Sequence, residues 1–74
     1  MERINHARVT ARADFVSTLF TSGLHVRAER RNGYTGLDLY DADGCIRNLT
    51  VGTSREVYDY LGAMLAALEI VGRA

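Results

Sequence analysis

The sequence predicts an α+β fold in the order helix, three-stranded antiparallel meander, helix, with both helices on one face of the sheet. Three observations carry that prediction. Asn32-Gly33 stands between two alternating segments, Leu24–Arg31 and Tyr34–Asp41; a second turn signal, Asp41-Ala42-Asp43-Gly44, follows; and stretches with helical apolar spacing flank the whole. Strands that alternate apolar and polar bury one face only, and two helices are the layer available to cover it.

Residues 1–9 are read as a start that frays, and the first helix as about 10–22. Thr10 is its expected cap, Phe15, Val16, Leu19 and Phe20 its apolar stripe, and Gly23 its left-handed stop, with Ile4, Ala7 and Ala11 as a weaker upstream stripe. Strands follow at about 24–31, 34–41 and 45–51. A type I′ turn at Asn32-Gly33 sets Arg31 opposite Tyr34, and the pairing runs back through Ala28 with Leu37 and Val26 with Leu39 on the core face. Arg27 with Asp38 and His25 with Tyr40 then share the other face.

The second turn reads as a three-residue loop with Gly44 left-handed, setting Asp41 opposite Cys45. Leu37 then pairs with Leu49 and Thr35 with Val51 on the core face, with Tyr40 beside Ile46 and Asp38 beside Asn48 on the open face. Leu39 falls opposite Arg47, a mismatch resolved either by laying the arginine stem along the core edge or by a bulge near Arg47. Thr53-Ser-Arg-Glu56 is a capping box that opens a helix over about 54–71. Val57, Leu61, Met64, Leu65, Leu68 and Val71 form its core stripe, and Tyr60, Ala63, Ala67 and Ile70 a second apolar flank.

Seventy-four residues make one domain, 1–74, with a small core, since a chain of this size buries roughly 60% of its unfolded surface. With 47% hydrophobic and 24% charged residues the chain is expected to fold. Nine arginines, with no lysine, balance nine acidic residues, so a nucleic-acid role needs a local patch rather than net charge. The single cysteine, Cys45, excludes an internal disulfide and fits a reducing compartment, so the expected location is cytoplasmic. Neither a secretory leader nor an apolar run long enough to span a bilayer is read in the sequence.

No phosphate-binding glycine loop, zinc-ligand spacing or nucleophile elbow occurs, and no metal or cofactor is expected. Asp41-Ala-Asp43-Gly44 has the outline of a calcium loop, but aligning Gly44 with the loop glycine puts Leu39 and Thr50 where the end ligands belong. Cys45 and His25 would need contact to act as nucleophile and base, and the register just described puts Cys45 on the core face and His25 on the open one. His6 has no recognisable partner, and no catalytic residue is expected.

The open sheet face is the expected binding surface, through His25, Arg27, Arg31, Tyr34, Tyr40 and Ile46. Aromatic residues and arginine are enriched at protein-binding hot spots. The competing readings are a solvated face and a platform for nucleic acid using Arg27, Arg31, Tyr34, Tyr40 and Arg47. The second surface is the helical flank Tyr60, Ala63, Ala67 and Ile70, expected to form a homodimer or take a protein partner.

Helix, three antiparallel strands and helix is also the order of the double-stranded-RNA-binding domain and of the HicA-type toxins, and the chain resembles both in topology along most of its length. The RNA-binding domain places a lysine-rich motif at the start of its second helix, where this chain has Thr53-Ser-Arg-Glu-Val-Tyr58 with Arg55 alone. The toxins place a histidine in the middle strand, where this chain has Tyr34-Thr-Gly-Leu-Asp-Leu-Tyr40. The resemblance therefore implies the fold, and neither activity is carried over. The expected function is that of a small non-enzymatic accessory protein that binds a protein partner, or itself.

Overall fold

Asn32 (φ 46°) and Gly33 (φ 85°) both lie in the left-handed region, the geometry a two-residue turn needs to match the twist of the strands it joins. The turn links β1 (His25–Arg31) to β2 (Tyr34–Asp41), and their antiparallel ladder runs from Arg31↔Tyr34 to His25↔Tyr40 in the expected register. A third strand, β3 (Gly44–Gly52), pairs with β2, giving sheet order β1-β2-β3. Helices α1 (His6–Ser17) and α2 (Ser54–Arg73) complete the expected order. This computed structural model describes residues 4–20 and 23–73, with the backbone alone for Cys45 and residues 72 and 73.

Helix α1 starts earlier and stops sooner than the expected 10–22. Asn5, not Thr10, is its cap, with Oδ1 accepting from the Arg8 amide at 2.9 Å. Residues 6–9, expected to fray, therefore form its first turn, while residues 1–3 of that expected start and residues 21–22 of the expected helix lie outside the described residues. Gly23 has the expected positive φ of 76° but stands beyond the helix, ahead of β1. The buried stripe is Val9, Ala13 and Val16, whereas Phe15 and Leu19, expected on it, are exposed, as are Ala7 and Ala11. Ser17 explains the rotation: its hydroxyl accepts from the Val26 amide at 3.0 Å and has Ala13 O at 2.8 Å as an acceptor, which fixes the Ala13–Ser17 side of α1 against β1.

The β2–β3 ladder departs from the expected register through two bulges, between Leu37 and Asp38 and between Leu39 and Tyr40. The loop has two residues, so Asp41 faces Gly44 rather than Cys45; Tyr40 faces Cys45 rather than Ile46; and Leu37 faces Thr50 rather than Leu49. Val51 faces Gly36 and Gly52 faces Thr35. Only Leu39↔Arg47 and Asp38↔Asn48 keep the expected pairing. Each extra residue on β3, first Ile46 and then Leu49, reverses the alternation. Leu49 thereby packs against the core while Asn48 stays beside Asp38.

The capping box closes as expected, with the Glu56 amide donating to Thr53 Oγ1 at 3.1 Å and the Thr53 amide donating to Glu56 Oε1 at 3.0 Å. Val57 and Leu61 of α2 join Val9, Val16, Val26 and Leu37 in the core, and Met64, Leu65 and Leu68 pack at its edge. Full burial of each such aliphatic contributes about 1.5–3 kcal/mol. Val71, expected in the core stripe, is 71% exposed, and Ile70 beside it 70%. A 20-residue helix is about 30 Å long and here outruns the surface it packs on. Both helices lie on the Val26–Leu37 side of the sheet, α1 against β1 and α2 against β2 and β3. The Cα extents of 35 × 31 × 16 Å are those of a two-layer slab, which leaves the other sheet face without a covering element among the described residues.

Candidate functional site

The open face is built around a buried carboxylate. Asp38 is only 2% exposed although it points away from the helices. Arg31 Nη2 donates to its Oδ2 at 2.7 Å, and Asn48 Nδ2 donates to its Oδ1 at 2.8 Å, so each carboxylate oxygen holds a partner. Arg31 reaches Asp38 by crossing Gly36, where a Cβ would stand 3.5 Å from Arg31 Nε. The same Nη2 donates to Glu29 Oε2 at 3.1 Å. The hydrogen bond to Glu29 and then the Asp38 charge move the Arg31 guanidinium upward from its ordinary pKa.

Arg27 stands opposite Asp38 in the ladder, as expected, but Asp38 takes its charge partner from Arg31. The Arg27 guanidinium lies over the Tyr40 ring, 5.5 Å from its centroid. The other contact of that ring is His25, stacked at 5.3 Å and 13°. His25 Nδ1 is 3.4 Å from Gly23 O. The charges on this face are thus neutralised or stacked within the chain.

Apolar surface lies beside this polar centre. Tyr34 is 57% exposed and Ile46 49%, as the reading of the open face requires. Val51, expected in the core opposite Thr35, is 53% exposed, because the bulge at Leu49 carries it to the open face opposite Gly36. His25, Arg27, Arg31, Tyr34 and Tyr40 hold ladder positions of this face, Ile46 is the exposed bulge residue between Cys45 and Arg47, and Val51 is an addition that strict alternation hid. Arg47, a candidate for nucleic acid, is exposed at a position opposite the core-facing Leu39, off this face.

Cys45 requires a correction of its own. With Tyr40 as its ladder partner it occupies an open-face register position, so the expected separation of His25 and Cys45 onto opposite faces does not hold. The two stand on outer strands two spacings, about 9.6 Å, apart, with Tyr40 between them. Among the described residues no cluster of His, Cys, Asp and Glu has the arrangement of a metal site.

On α2, Tyr60, Ala63, Ala67 and Ile70 are all exposed. The space beside the neighbouring Gly62 is occupied by a side chain: a Cβ there would come within 2.9 Å of Arg12 Nη1. Arg12 lies flat on Tyr58, its guanidinium carbon 3.6 Å from the ring centroid, and donates from Nη1 to Tyr58 O at 3.3 Å. Nothing local in the sequence joins residues 46 positions apart, so this contact was illegible there. Among the described residues no helix is long and apolar enough to cross a membrane. No protein-family model, no curated protein and no solved structure matches the chain.

Proposed function

We propose that this chain is a small non-enzymatic accessory protein that binds a protein partner through the open face of its sheet. One observation carries the reading: Arg31 is ion-paired within the chain and Arg27 lies over the Tyr40 ring, while Tyr34, Ile46 and Val51 stay about half exposed. A surface that neutralises phosphates needs arginines free to meet them. A protein-binding patch needs apolar and aromatic groups around charges that are already satisfied. That balance favours a protein over a nucleic acid.

The test places a photo-crosslinking residue at Tyr34 or Ile46, with one at Asp14 on α1 as the control. A discrete crosslinked protein from the two open-face positions, lost on Tyr40→Ala and absent from the control, is the expected outcome. Equal crosslinking from all three positions overturns the reading, and so do single-stranded or duplex oligonucleotides that shift the Tyr34 and Tyr40 resonances at low salt.

Self-association through α2 is the second element, favoured by a specific spacing. Tyr60, Ala63, Ala67 and Ile70 stand three, four and three residues apart. Two copies laid antiparallel about a two-fold axis crossing the exposed flank midway between Ala63 and Ala67 would set Tyr60 against Ile70 of the second copy, with the alanines meeting at the centre. An isologous contact requires this kind of self-complementary order.

A further inference from the structure

We propose that the groove between α1 and α2 binds a carboxylate on an apolar body, supplied by a protein partner as an acidic residue beside a bulky apolar one. The groove has a volume of about 410 Å³ and is lined by Arg8, Ala11, Arg12, Phe15, Tyr58 and Leu65. That volume is at the low end of ligand sites, roughly 300–1,000 Å³, and suits one or two side chains.

Arg12 supplies the charge that selects the occupant. It is half-buried and held on three sides: by the Tyr58 ring at 3.6 Å, by Tyr58 O at 3.3 Å, and by the space that Gly62 leaves open. A guanidinium has five N–H donors, and this one spends a single hydrogen bond among the described residues. None of the described carboxylates forms an ion pair with it. Half-burial strengthens a charge-assisted bond to a carboxylate, and the planar fork is already oriented.

Ala11, Phe15 and Leu65 supply the apolar part, and Phe15 is exposed on the outward side of α1. The groove is shallow and open to solvent, which fits a peptide whose backbone remains in water while one apolar side chain enters. A free acyl chain would leave most of its length wet. Helical geometry sets this groove apart from the proposed dimer contact: Gly62 and Leu65 fall on the α1 side of α2, and Tyr60, Ala63, Ala67 and Ile70 lie roughly 110–170° round the helix from the midpoint of those two. The groove is also across the sheet from the open face, so its test is independent of both surfaces.

The experiment titrates the protein with N-acetyl-Glu-Leu-amide, N-acetyl-Gln-Leu-amide and hexanoate, reading the Phe15 and Tyr58 ring resonances by NMR. The Glu dipeptide should move both rings, with affinity at least ten-fold above that of the Gln dipeptide, and Arg12→Gln should lower it at least ten-fold. Because Arg12 also packs on Tyr58, Gly62→Ala is the second variant. It keeps the charge but crowds Nη1, the end of a flexible side chain, so the guanidinium gives by a fraction of an ångström and a smaller loss is expected with an unchanged far-UV circular dichroism spectrum. Equal affinity for the two dipeptides, or full binding by Arg12→Gln, overturns the site. A response to hexanoate without one to the Glu dipeptide overturns the protein source.

Discussion

Arg31 donates to Asp38 at 2.7 Å from four ladder rows away, while Arg27, directly opposite Asp38, lies over the Tyr40 ring instead. Asp38→Ala should therefore lower stability by about 1–3 kcal/mol, because it leaves Asn48 Nδ2 only the Leu37 and Thr50 carbonyls and removes the acceptor that holds Arg31 over Gly36. Arg31→Met leaves the Asp38 carboxylate buried beside Asn48 alone and should reduce the urea midpoint more than Arg27→Met does. Equal midpoints for the two arginine variants would show that Asp38 does not distinguish them.

Glu56 is held below its ordinary pKa of 4.5, first by the Thr53 amide and then by the Thr53 hydroxyl. A carboxyl lowered in the folded state adds stability above its unfolded value and loses it as pH falls through the folded one. Urea midpoints of the native chain and Glu56→Gln, followed from pH 7 to pH 2, should differ most above 4.5 and converge in acid. A constant difference would assign the effect to shape rather than charge. Thr53→Ala removes the reciprocal acceptor and should cost about 0.5–2 kcal/mol at neutral pH.

Two glycines of the same hairpin should respond in opposite ways. Gly33 has φ 85° and open space around it, so Gly33→Ala carries a purely conformational penalty of about 1–2 kcal/mol. At Gly36 a Cβ would meet Arg31 at ordinary contact distance, and Gly36→Ala should be neutral or slightly stabilising. Chemical denaturation of the pair checks this, and a loss at Gly36 equal to that at Gly33 would contradict it.

If α2 pairs two copies, sedimentation velocity at micromolar concentration should give a dimer, and Ile70→Asp a monomer with unchanged circular dichroism. Ile70 is 70% exposed, so the substitution leaves the core alone. A native chain that sediments as a monomer removes the dimer without touching the open-face proposal.

The parts legible in sequence are those whose causes lie within a few residues. Asn32-Gly33 carries its own turn, and the pairing of all of β1 with β2 follows from it. The Thr53–Glu56 box likewise contains both donors and both acceptors. The mismatch of Leu39 with Arg47 did signal trouble in β3, and a bulge at Ile46 stands next to it. The second bulge, at Leu49, had no such marker, because Leu49 and Val51 are both acceptable strand residues on either face.

Element order, the first hairpin's register and the capping of α2 were determined by the sequence itself, since short-range sterics and hydrogen bonds decide them before any packing occurs. Tertiary structure alone decided which side of α1 is buried, where β3 bulges, that Asp38 takes Arg31 over Arg27, and that Arg12 fills the space beside Gly62. Those outcomes are competitions among side chains distant in sequence for one small core and one carboxylate. Their winners depend on volumes and distances that exist only once the helices and sheet have met.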